Sequence, residues 1–420
     1  MGICLALFGP PKCIVPRERE LFQDLARERR QQSVQQSLIS TMSEAHPNSG
    51  LSRTACARGE TQDSESVMTD CPADAPSRRV TVRTLAEGDA PQWDEFVQEH
   101  PAGSPFHLQA WRRTIEESFG YHPMYLLAEE GDKIRGVLPL FYVKNALVKS
   151  ALISSPFAVY GGILADSREA ALALRNAAEK LGRDLGVQHI EFRNAHLEQC
   201  VGESNISGYV NFVQQIGPDT EAILEAIPRK TRAMVRKALK LGFKARVTPD
   251  LDAFEALYSK NLRRLGTPSF PHKYFESLLK HFGSSVYIHE FELDGQVVSA
   301  VLTFCFRDQI LPYYGASDLR FNSSAPNNFM YFNLMQWGGL NGYRVYDFGR
   351  SRRHSGSYEF KAHWGMVERT LPYEMVLVRR KNLPNFSPAN PKYQLAMRIW
   401  QKLPLAFTRA VGPSLLKLVP

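Results

Sequence analysis

The densest run of arginine, glycine and aromatic residues in the chain spans residues 342–365 and has the sequence GYRVYDFGRSRRHSGSYEFKAHWG. Its apolar start, VYDF, is typical of a buried strand, and the Gly/Ser/Arg segment that follows predicts a loop. An aromatic strand bearing Lys361 is predicted after that loop. Ligands often bind at loops that follow strands of a mixed sheet, so we place the candidate site here.

Several residues of this stretch are candidate substrate contacts. Arg350 and Arg352 can grip a phosphate or carboxylate, and Tyr358 can shape a pocket or belong to the core. The alternative is an exposed basic turn beside a core strand. Asp347 lies at the end of the predicted strand. We expect its side chain to orient Arg350 or to cap a turn rather than to act as a general base.

The sequence before this stretch alternates between helical and strand-like patterns. The elements predicted in the second half of the chain are a basic segment at 229–241, a strand at 244–247, helices at 251–265 and 272–281, strands at 286–293, 297–306 and 310–316, a helix at 327–340, and strands at 345–348 and 373–378.

The first half follows a similar order. Its predicted elements are a strand at 80–85, helices at 90–99 and 108–119, strands at 124–128, 134–143, 153–156 and 159–164, a helix at 168–185 and a strand at 187–192. Tyr160-Gly161-Gly162 in this half parallels Tyr314-Gly315-Ala316 in the other. The repeat predicts two copies of one mixed α/β unit, and Tyr160 is a further candidate substrate contact.

The basic segment at 229–240 offers a possible anion site. No acidic residue lies between Glu225 and Asp250. On a helix, Arg232 and Arg236 share a face and Lys237 is adjacent to it. Such a face can bind the phosphates of a nucleotide or of a nucleic-acid backbone, although a solvated helix is the alternative.

The net charge is concentrated at one end of the chain. The 420 residues carry 51 Lys+Arg and 43 Asp+Glu, a formal charge of +8. Glu374 is the last acidic residue, and the segment 375–420 alone carries eight basic residues, so residues 1–374 are neutral. This pattern does not indicate a uniformly basic nucleic-acid binder, and no DNA partner is expected.

The first 79 residues differ from the rest because they are rich in Ser, Thr, Pro and charged residues and poor in large apolar ones. They predict a disordered leader. Four of the six cysteines lie there, and no C-x-x-C pair occurs. A disulfide framework or a metal site is therefore not expected, and a reducing cytoplasm fits better.

Several motifs resemble those of FemAB-like proteins of the GNAT acyltransferase superfamily. YEFKAHWG (residues 358–365), preceded by YDFGRS, is similar to the F-K-x-x-[FW]-G signature of that family, and RKTRAMVRKALKLG (229–242) is similar to its basic helix. LPLFYVK (138–144) and SSPFAVYGG (154–162) resemble the branch associated with exosortase/PEP-CTERM exopolysaccharide systems.

The resemblance implies an α/β (α+β) fold with two tandem GNAT-like mixed-sheet domains. We expect a leader at 1–79, a first domain at 80–215, a second, FemAB-type domain at 216–380 and a basic amphipathic tail at 381–420. Lys361 matches the lysine of the family's F-K motif and is the candidate catalytic residue, where it would stabilise oxyanion charge.

The resemblance also implies acyl or aminoacyl transfer to an amine of an envelope glycan or peptide precursor, with no permanently bound cofactor. The expected donor is aminoacyl-tRNA or acyl-CoA. The [RQ]-x-x-G-x-[GA] turn of acetyl-CoA-dependent GNAT enzymes has no match in either half, which argues against a standard CoA site. A CoA-dependent small-molecule N-acetyltransferase and a non-catalytic scaffold of polysaccharide assembly remain the alternatives.

The tail adds a possible membrane contact. Residues 391–417 combine basic residues with Trp400 and other apolar residues, and such cationic amphipathic helices suit anionic membrane surfaces. Docking of the tail on the body is the alternative. Because no run of 18 apolar residues occurs, we expect a cytoplasmic protein, peripheral at the inner membrane face if the tail binds lipid.

Overall fold

The computed structural model describes residues 79–383, 391–418 and 420, with the side chains of residues 391–393 left out. All of these belong to one compact unit. The predicted leader lies outside the described residues except for its last position. The described helices are α1 Ala90–Glu99, α2 Gln109–Phe119, α3 Arg168–Asp184, α4 Thr220–Ala226, α5 Arg229–Leu239, α6 Asp252–Leu265, α7 His272–Phe282, α8 Pro326–Leu340, α9 Gly356–Ala362, α10 Pro391–Lys402 and α11 Leu405–Leu416.

The strands form three sheets. They are β1 Thr81–Thr84, β2 His122–Pro123, β3 Leu126–Glu130, β4 Lys133–Leu138, β5 Leu140–Asn145, β6 Lys149–Ser154, β7 Leu164–Ala165, β8 His189–Phe192, β9 Tyr209–Gln215, β10 Lys244–Thr248, β11 Val286–Leu293, β12 Gln296–Phe306, β13 Gln309–Ser317, β14 Val345–Asp347, β15 Ser351–Arg352, β16 Val367–Thr370 and β17 Glu374–Leu377. The mixed α/β class is thereby confirmed.

The first half divides its strands between two sheets with the orders β1-β3-β4-β7 and β2-β5-β6-β8-β17. The single strand predicted at 134–143 is two strands, because Pro139 has no N–H for a continuous ladder. The strand predicted at 159–164 is reduced to Leu164–Ala165. The chain before it, including Tyr160, is irregular and buried.

The second half builds one large sheet with the order β10-β11-β12-β13-β14-β9-β15, and β16 pairs with β9. Its centre is formed by β11, β12 and β13, which are joined by tight turns at Asp294-Gly295 and Arg307-Asp308. These turns place Asp294, Gly295 and Arg307 at positive φ. Helix α8 covers one face with Phe329, Met330 and neighbouring apolar residues, so one core of the molecule lies there.

The two halves exchange strands. The last strand before residue 216, β9, lies in the sheet of the second half, between β14 and β15. Conversely, β17 near the end of the second half pairs with β8 of the first, and its buried Glu374 forms an ion pair with Arg175 of α3. The sheets therefore do not follow the border expected at 215 and 216, since each half supplies a strand to the other.

The segment after β14 corrects one prediction. Residues 356–362 form helix α9 and not an aromatic strand. Ser355 caps the helix by accepting a hydrogen bond from the backbone N–H of Tyr358, 3.2 Å away. On a helix, Tyr358 and Lys361 are three residues apart and lie on neighbouring positions of one side.

The tail docks on the body. Trp400 is buried, and its indole N–H donates to the carbonyl oxygen of Thr267, 3.1 Å away. Gly412 packs so closely on Ser269 that a Cβ would lie 2.9 Å from the serine hydroxyl. Leu395, Ile399 and Phe407 remain exposed on the other side of the two tail helices.

Two features are absent from the described part of the chain. None of its helices combines the length and apolarity that crossing a bilayer requires. No three His, Cys, Asp or Glu side chains in that part are grouped so that they could hold a metal ion.

Candidate active site where two parallel strands separate

The strands β13 and β14 run parallel but pair at only two positions, Gln309 with Val345 and Ile310 with Tyr346. Two residues beyond this pairing, β13 carries Pro312, which has no backbone N–H. From that point β14 continues beside β9, where Asp347 pairs with Val213. The sheet therefore opens next to Asp347, near the end of the strand predicted at 345–348.

Three neighbouring strands place side chains on the same face at this opening, because alternate residues of a strand share a face. The six side chains belong to Gln309, Leu311, Val345, Asp347, Asn211 and Val213, and all line one cavity of about 60 Å³. The other walls come from the first half, namely residues 101–105, Tyr160, Ala195 and His196, and from Arg369 of β16.

Asp347 is buried and accepts hydrogen bonds from both halves of the molecule. Its Oδ1 accepts from the backbone N–H of Gly349 at 2.7 Å, and its Oδ2 accepts from the Tyr160 hydroxyl at 2.5 Å. The Asn211 amide lies within 2.6 Å of the Tyr160 oxygen and 3.4 Å of Asp347 Oδ2. Burial raises the pKa of Asp347, while these donors and the nearby Lys361 oppose that rise.

The position of Tyr160 depends on a close approach between the backbone of the next residue, Gly161, and Ser155. At Gly161, which has φ 141°, an added Cβ would lie 2.4 Å from the Ser155 side chain, so only glycine fits. Burial, followed by the proximity of Asp347, raises the pKa of Tyr160 well above its ordinary value. The hydroxyl is thus a hydrogen-bond donor to the carboxylate and not a phenolate.

Lys361 projects from α9 towards the loop that follows Asp347. Its ammonium donates to three backbone oxygens, those of Phe348 at 2.5 Å, Gly349 at 3.1 Å and Arg350 at 3.4 Å. Burial lowers the pKa of Lys361 to about 8, against the attraction of Asp347. The lysine thus holds the loop in place and keeps a positive charge beside the opening.

Arg350 lies between two aromatic rings. Its guanidinium carbon is 5.0 Å from the ring centre of Tyr209 and 5.8 Å from that of Tyr373, whose hydroxyl also lies 3.5 Å from Nη1. Tyr373 donates in turn to the carbonyl oxygen of Val159, next to Tyr160. In this position Arg350 connects the candidate loop to the first half.

Arg352 and Tyr358 lie away from the cavity. Arg352 is exposed on β15, opposite Tyr209. The Tyr358 hydroxyl donates to Glu368 at 2.9 Å, and Arg353 forms an ion pair with the same carboxylate at 2.6 Å. Neither of these two predicted contacts lines the cavity that Tyr160 lines.

Helix α5 presents a cationic face to solvent. Thr231, Val235 and Ala238 face inward, while the outer face borders an open depression of about 530 Å³, lined by Arg229, Arg232, Ala233, Arg236, Lys237 and Lys240. Arg236 is 3.8 Å from Glu221, in an exposed pair. Thr231 donates to the carbonyl oxygen of His363 at 2.6 Å, which fixes α5 to the end of the Lys361 helix.

A family model described as an acetyltransferase (GNAT) domain matches residues 229–362. The match begins at the first residue of α5 and ends at the last residue of α9. It therefore includes the cationic helix, the opening between β13 and β14, and Lys361.

Sequence similarity to curated proteins extends beyond residues 229–362. The chain is 20% identical to a lipid II:glycine glycyltransferase of Staphylococcus epidermidis (strain ATCC 35984), over 65% of this chain and 88% of that protein. It is also 20% identical to the enzyme of the same name from Staphylococcus haemolyticus (strain JCSC1435), over 65% and 87%. Together these matches support a FemAB-like GNAT family and an acyltransferase activity.

A solved structure supports the fold. The crystal structure of FemX superposes with a TM-score of 0.58 at 17% identity and covers 75% of this chain and 99% of that one. The FemAB-like fold is thereby established over most of the described residues. The hypothesis of a non-catalytic scaffold is not supported.

The sequence did not identify two members of the FemAB-like site. Asp347 was favoured as a turn cap, which its bond to Gly349 bears out, but its contact with Tyr160 was not foreseen. Asn211 was missed because no strand was predicted at 209–215. The alternation of YVNFVQQ is the signal that would have placed Asn211 and Val213 on one face of a strand.

A second, larger cavity adjoins the first. It has about 480 Å³ and lies at the amino end of α3, lined in part by Ser167, Arg168 and Gln199. Pro101, Ala102 and His196 line both cavities. Arg307 of the second half donates to the backbone oxygens of His100 and Pro101, each at 2.9 Å, and so fixes the segment they share.

Proposed function

We propose that this FemAB-like enzyme transfers an acyl or aminoacyl group to an amine of a cell-envelope precursor of exopolysaccharide or peptidoglycan type. The opening beside Asp347 carries the proposal, since a cavity, a positively charged lysine and a loop of ordered carbonyl groups meet there. The relatives support an aminoacyl donor, because their names specify glycine and lipid II. The link to exosortase/PEP-CTERM systems rests on residues 138–144 and 154–162 alone.

The reaction needs an uncharged acceptor amine. Its lone pair attacks the carbonyl carbon of the donor ester, the C–N bond forms, and the C–O bond to the donor breaks. The amine's proton passes through solvent or a substrate phosphate to the departing alkoxide. Lys361 would stabilise the developing oxyanion by its charge, since its hydrogens are shared among three backbone oxygens.

The cationic face of α5 suits the phosphates of a tRNA donor. Arg232, Arg236 and Lys237 border the same open depression, and α5 is fixed to α9 through Thr231. Phosphate binding by such a face weakens as salt rises because counterions are released. An acyl-CoA donor also carries phosphates, and the matching family model is described as an acetyltransferase domain. The alternative function, a CoA-dependent N-acetyltransferase, is therefore tested in the same experiment.

Purified protein with labelled donors separates these functions. Aminoacyl-tRNA and acetyl-CoA, each labelled in the acyl group, are incubated with lipid II or UDP-linked precursors, and label is followed into the acceptor. We expect transfer from aminoacyl-tRNA. Transfer from acetyl-CoA alone would establish the alternative, and transfer from neither would overturn both.

We also propose that the outer face of the tail contacts an anionic membrane surface, at the cytoplasmic face of the inner membrane. Leu395, Ile399 and Phe407 are exposed there beside Arg398 and Lys402, and the segment has no acidic residue. Because the tail packs on the body through its opposite face, which carries Trp400, these exposed residues are available to contact lipid.

Sedimentation with vesicles tests the contact. Binding to vesicles of phosphatidylglycerol and phosphatidylcholine is expected, and binding to phosphatidylcholine alone should be much weaker. Replacing Ile399 and Phe407 with serine should abolish it without disturbing the docked Trp400. Equal binding by the variant, or none by the intact chain, would refute the contact.

A further inference from the structure

We propose that Asp347 and Asn211 form a cradle for a primary ammonium group of a substrate. Which substrate carries that group depends on the proposed function, but the chemistry of the cradle does not. Both side chains line the small cavity, and both are almost completely buried, with 3% and 5% of their surface exposed.

The hydrogen bonds inside the cluster fix the direction of each group. The Tyr160 hydroxyl gives its single hydrogen to Asp347, so the phenolic oxygen can only accept from Asn211. The nitrogen of the Asn211 amide must therefore face Tyr160. Its carbonyl oxygen, Oδ1, is buried and has no hydrogen-bond partner among the described residues.

Within the cluster formed by Asp347, Asn211, Tyr160 and the Gly349 backbone, the polar atoms left over are all acceptors. The hydroxyl hydrogen of Tyr160 and the backbone N–H of Gly349 are used by Asp347, and the Asn211 amide nitrogen is used by Tyr160 and Asp347. What remains is the orphaned Asn211 oxygen and the unused lone pairs of the Asp347 carboxylate. A buried acceptor without a donor costs free energy, so a ligand that fits must donate hydrogen bonds.

The positive charges near the cluster do not occupy it. The Lys361 ammonium is bound to the carbonyl groups of residues 348–350. Arg369 lies opposite Asn211 on β16 and lines the cavity, but its side chain is exposed and makes no hydrogen bond to Asn211 Oδ1. Burial, followed by the proximity of Arg369, lowers the pKa of His196 and favours its neutral ring. Asp347 is the carboxylate among the residues that line the cavity, so a cation with several hydrogens matches it.

The size of the cavity limits what enters. The cavity is the smaller of the two that meet at residues 101–102, at about 60 Å³, and an ammonium on a short chain can enter it. An acetyl group would bring a methyl group and no hydrogen-bond donor. Two substrates of the proposed reaction carry the right group, namely the aminoacyl donor through its α-ammonium and the acceptor through the protonated form of its amine.

Two pairs of probes distinguish these sources. The donor pair is 3′-deoxy-3′-glycylamino-adenosine and its N-acetyl derivative, and the acceptor pair is Nα-acetyl-lysine amide and its Nε-acetylated form. Dissociation constants are measured by calorimetry for the full chain, for Asp347→Asn and for Asn211→Leu. Glu290→Gln, which alters a buried carboxylate paired with Arg246, is the matched control.

We expect the ammonium member of one pair to bind about 10- to 100-fold more tightly than its acetylated twin. Asp347→Asn should remove this preference, and Glu290→Gln should retain it. The pair that shows the preference identifies the source. Equal binding of the twins in both pairs, or an undiminished preference in Asp347→Asn, would overturn the cradle.

Failure of the cradle and failure of the proposed function give different results. If the intact chain transfers label from aminoacyl-tRNA while neither pair shows a preference, the cradle is wrong and the function stands. If the preference is present but no donor supports transfer, the cradle stands and the function is wrong. Circular dichroism and thermal unfolding of each variant show whether a loss of binding reflects a loss of fold.

Discussion

The two halves each contain a pair of parallel strands that separates, and they use the space differently. In the first half β6 and β8 part after Ile153 and Glu191. Arg193 fills the space, donating to the backbone oxygens of Ser155 and Ala158, each at 3.2 Å, and to Glu191 at 2.8 Å. In the second half the corresponding opening keeps a cavity beside Asp347.

This difference shows how a duplicated unit can divide its tasks. A guanidinium satisfies several buried acceptors at once, so the first opening is closed and contributes rigidity. The second opening has buried acceptors that are not all satisfied, which is typical of a ligand site. The first half still contributes to that site, through Tyr160 and residues 101–105.

The largest expected effect tests the closed opening. Arg193→Met leaves Glu191 and two carbonyl groups without their partner and should lower the free energy of unfolding by about 3–5 kcal/mol, measured by urea denaturation. Arg135→Met, which breaks half-buried surface pairs with Glu130 and Asp166, should cost at most about 1 kcal/mol. Lost turnover with unchanged stability in Arg193→Met would mean that the first opening is the catalytic one.

Lys361→Met should act on the second opening. We expect kcat to fall by about 10²–10³-fold, because the charge beside the reacting carbonyl is lost while the chain length of the side chain is kept. Lys180→Met, on the exposed side of α3, should leave kcat unchanged. A thermal midpoint that drops without any change in kcat per folded molecule would make Lys361 purely structural.

The pH dependence follows from the lowered pKa of Lys361, about 8. If its charge is needed, kcat should decline as the pH rises through about 8, and Lys361→Arg should move that decline to higher pH. At a pH between the pKa of Lys361 in the folded state, about 8, and the higher pKa of an unfolded lysine, the folded state binds fewer protons than the unfolded state. Stability should therefore increase with pH over that interval, as far as this residue contributes. A flat kcat profile up to pH 10 contradicts the catalytic role.

The smallest effect is expected on α5, which is connected to the end of α9 through Thr231 and lines no part of the cavity beside Asp347. Replacing Arg232, Arg236 and Lys237 with glutamine should raise KM for aminoacyl-tRNA by roughly tenfold. The slope of log affinity against log salt concentration should become shallower, by an amount that corresponds to the loss of about two phosphate contacts. The same change at Lys180 and Arg183 on α3 is the control. An unchanged salt dependence would show that the cationic face is only a solvated helix.

Much of the fold followed from local patterns. The helix at residues 90–99 and the strand at 286–293 have the bounds that periodicity indicated. The segment after Asp347 was assigned the wrong structure because Tyr358, Phe360 and Trp364 resemble a strand pattern. The cap at Ser355 and the anchoring of Lys361 to three carbonyl groups favour a helix instead.

The sequence alone determined the α/β class and indicated the FemAB-like resemblance, since periodicity, turns and short motifs are local properties of the chain. It also located Lys361, Tyr160 and the cationic helix. Only the tertiary structure brought Tyr160 and Asn211 to Asp347 and showed which opening is filled. Those contacts join residues more than 50 positions apart and depend on strands exchanged between the halves. No local pattern encodes such a pairing, because it arises from the packing of the whole chain.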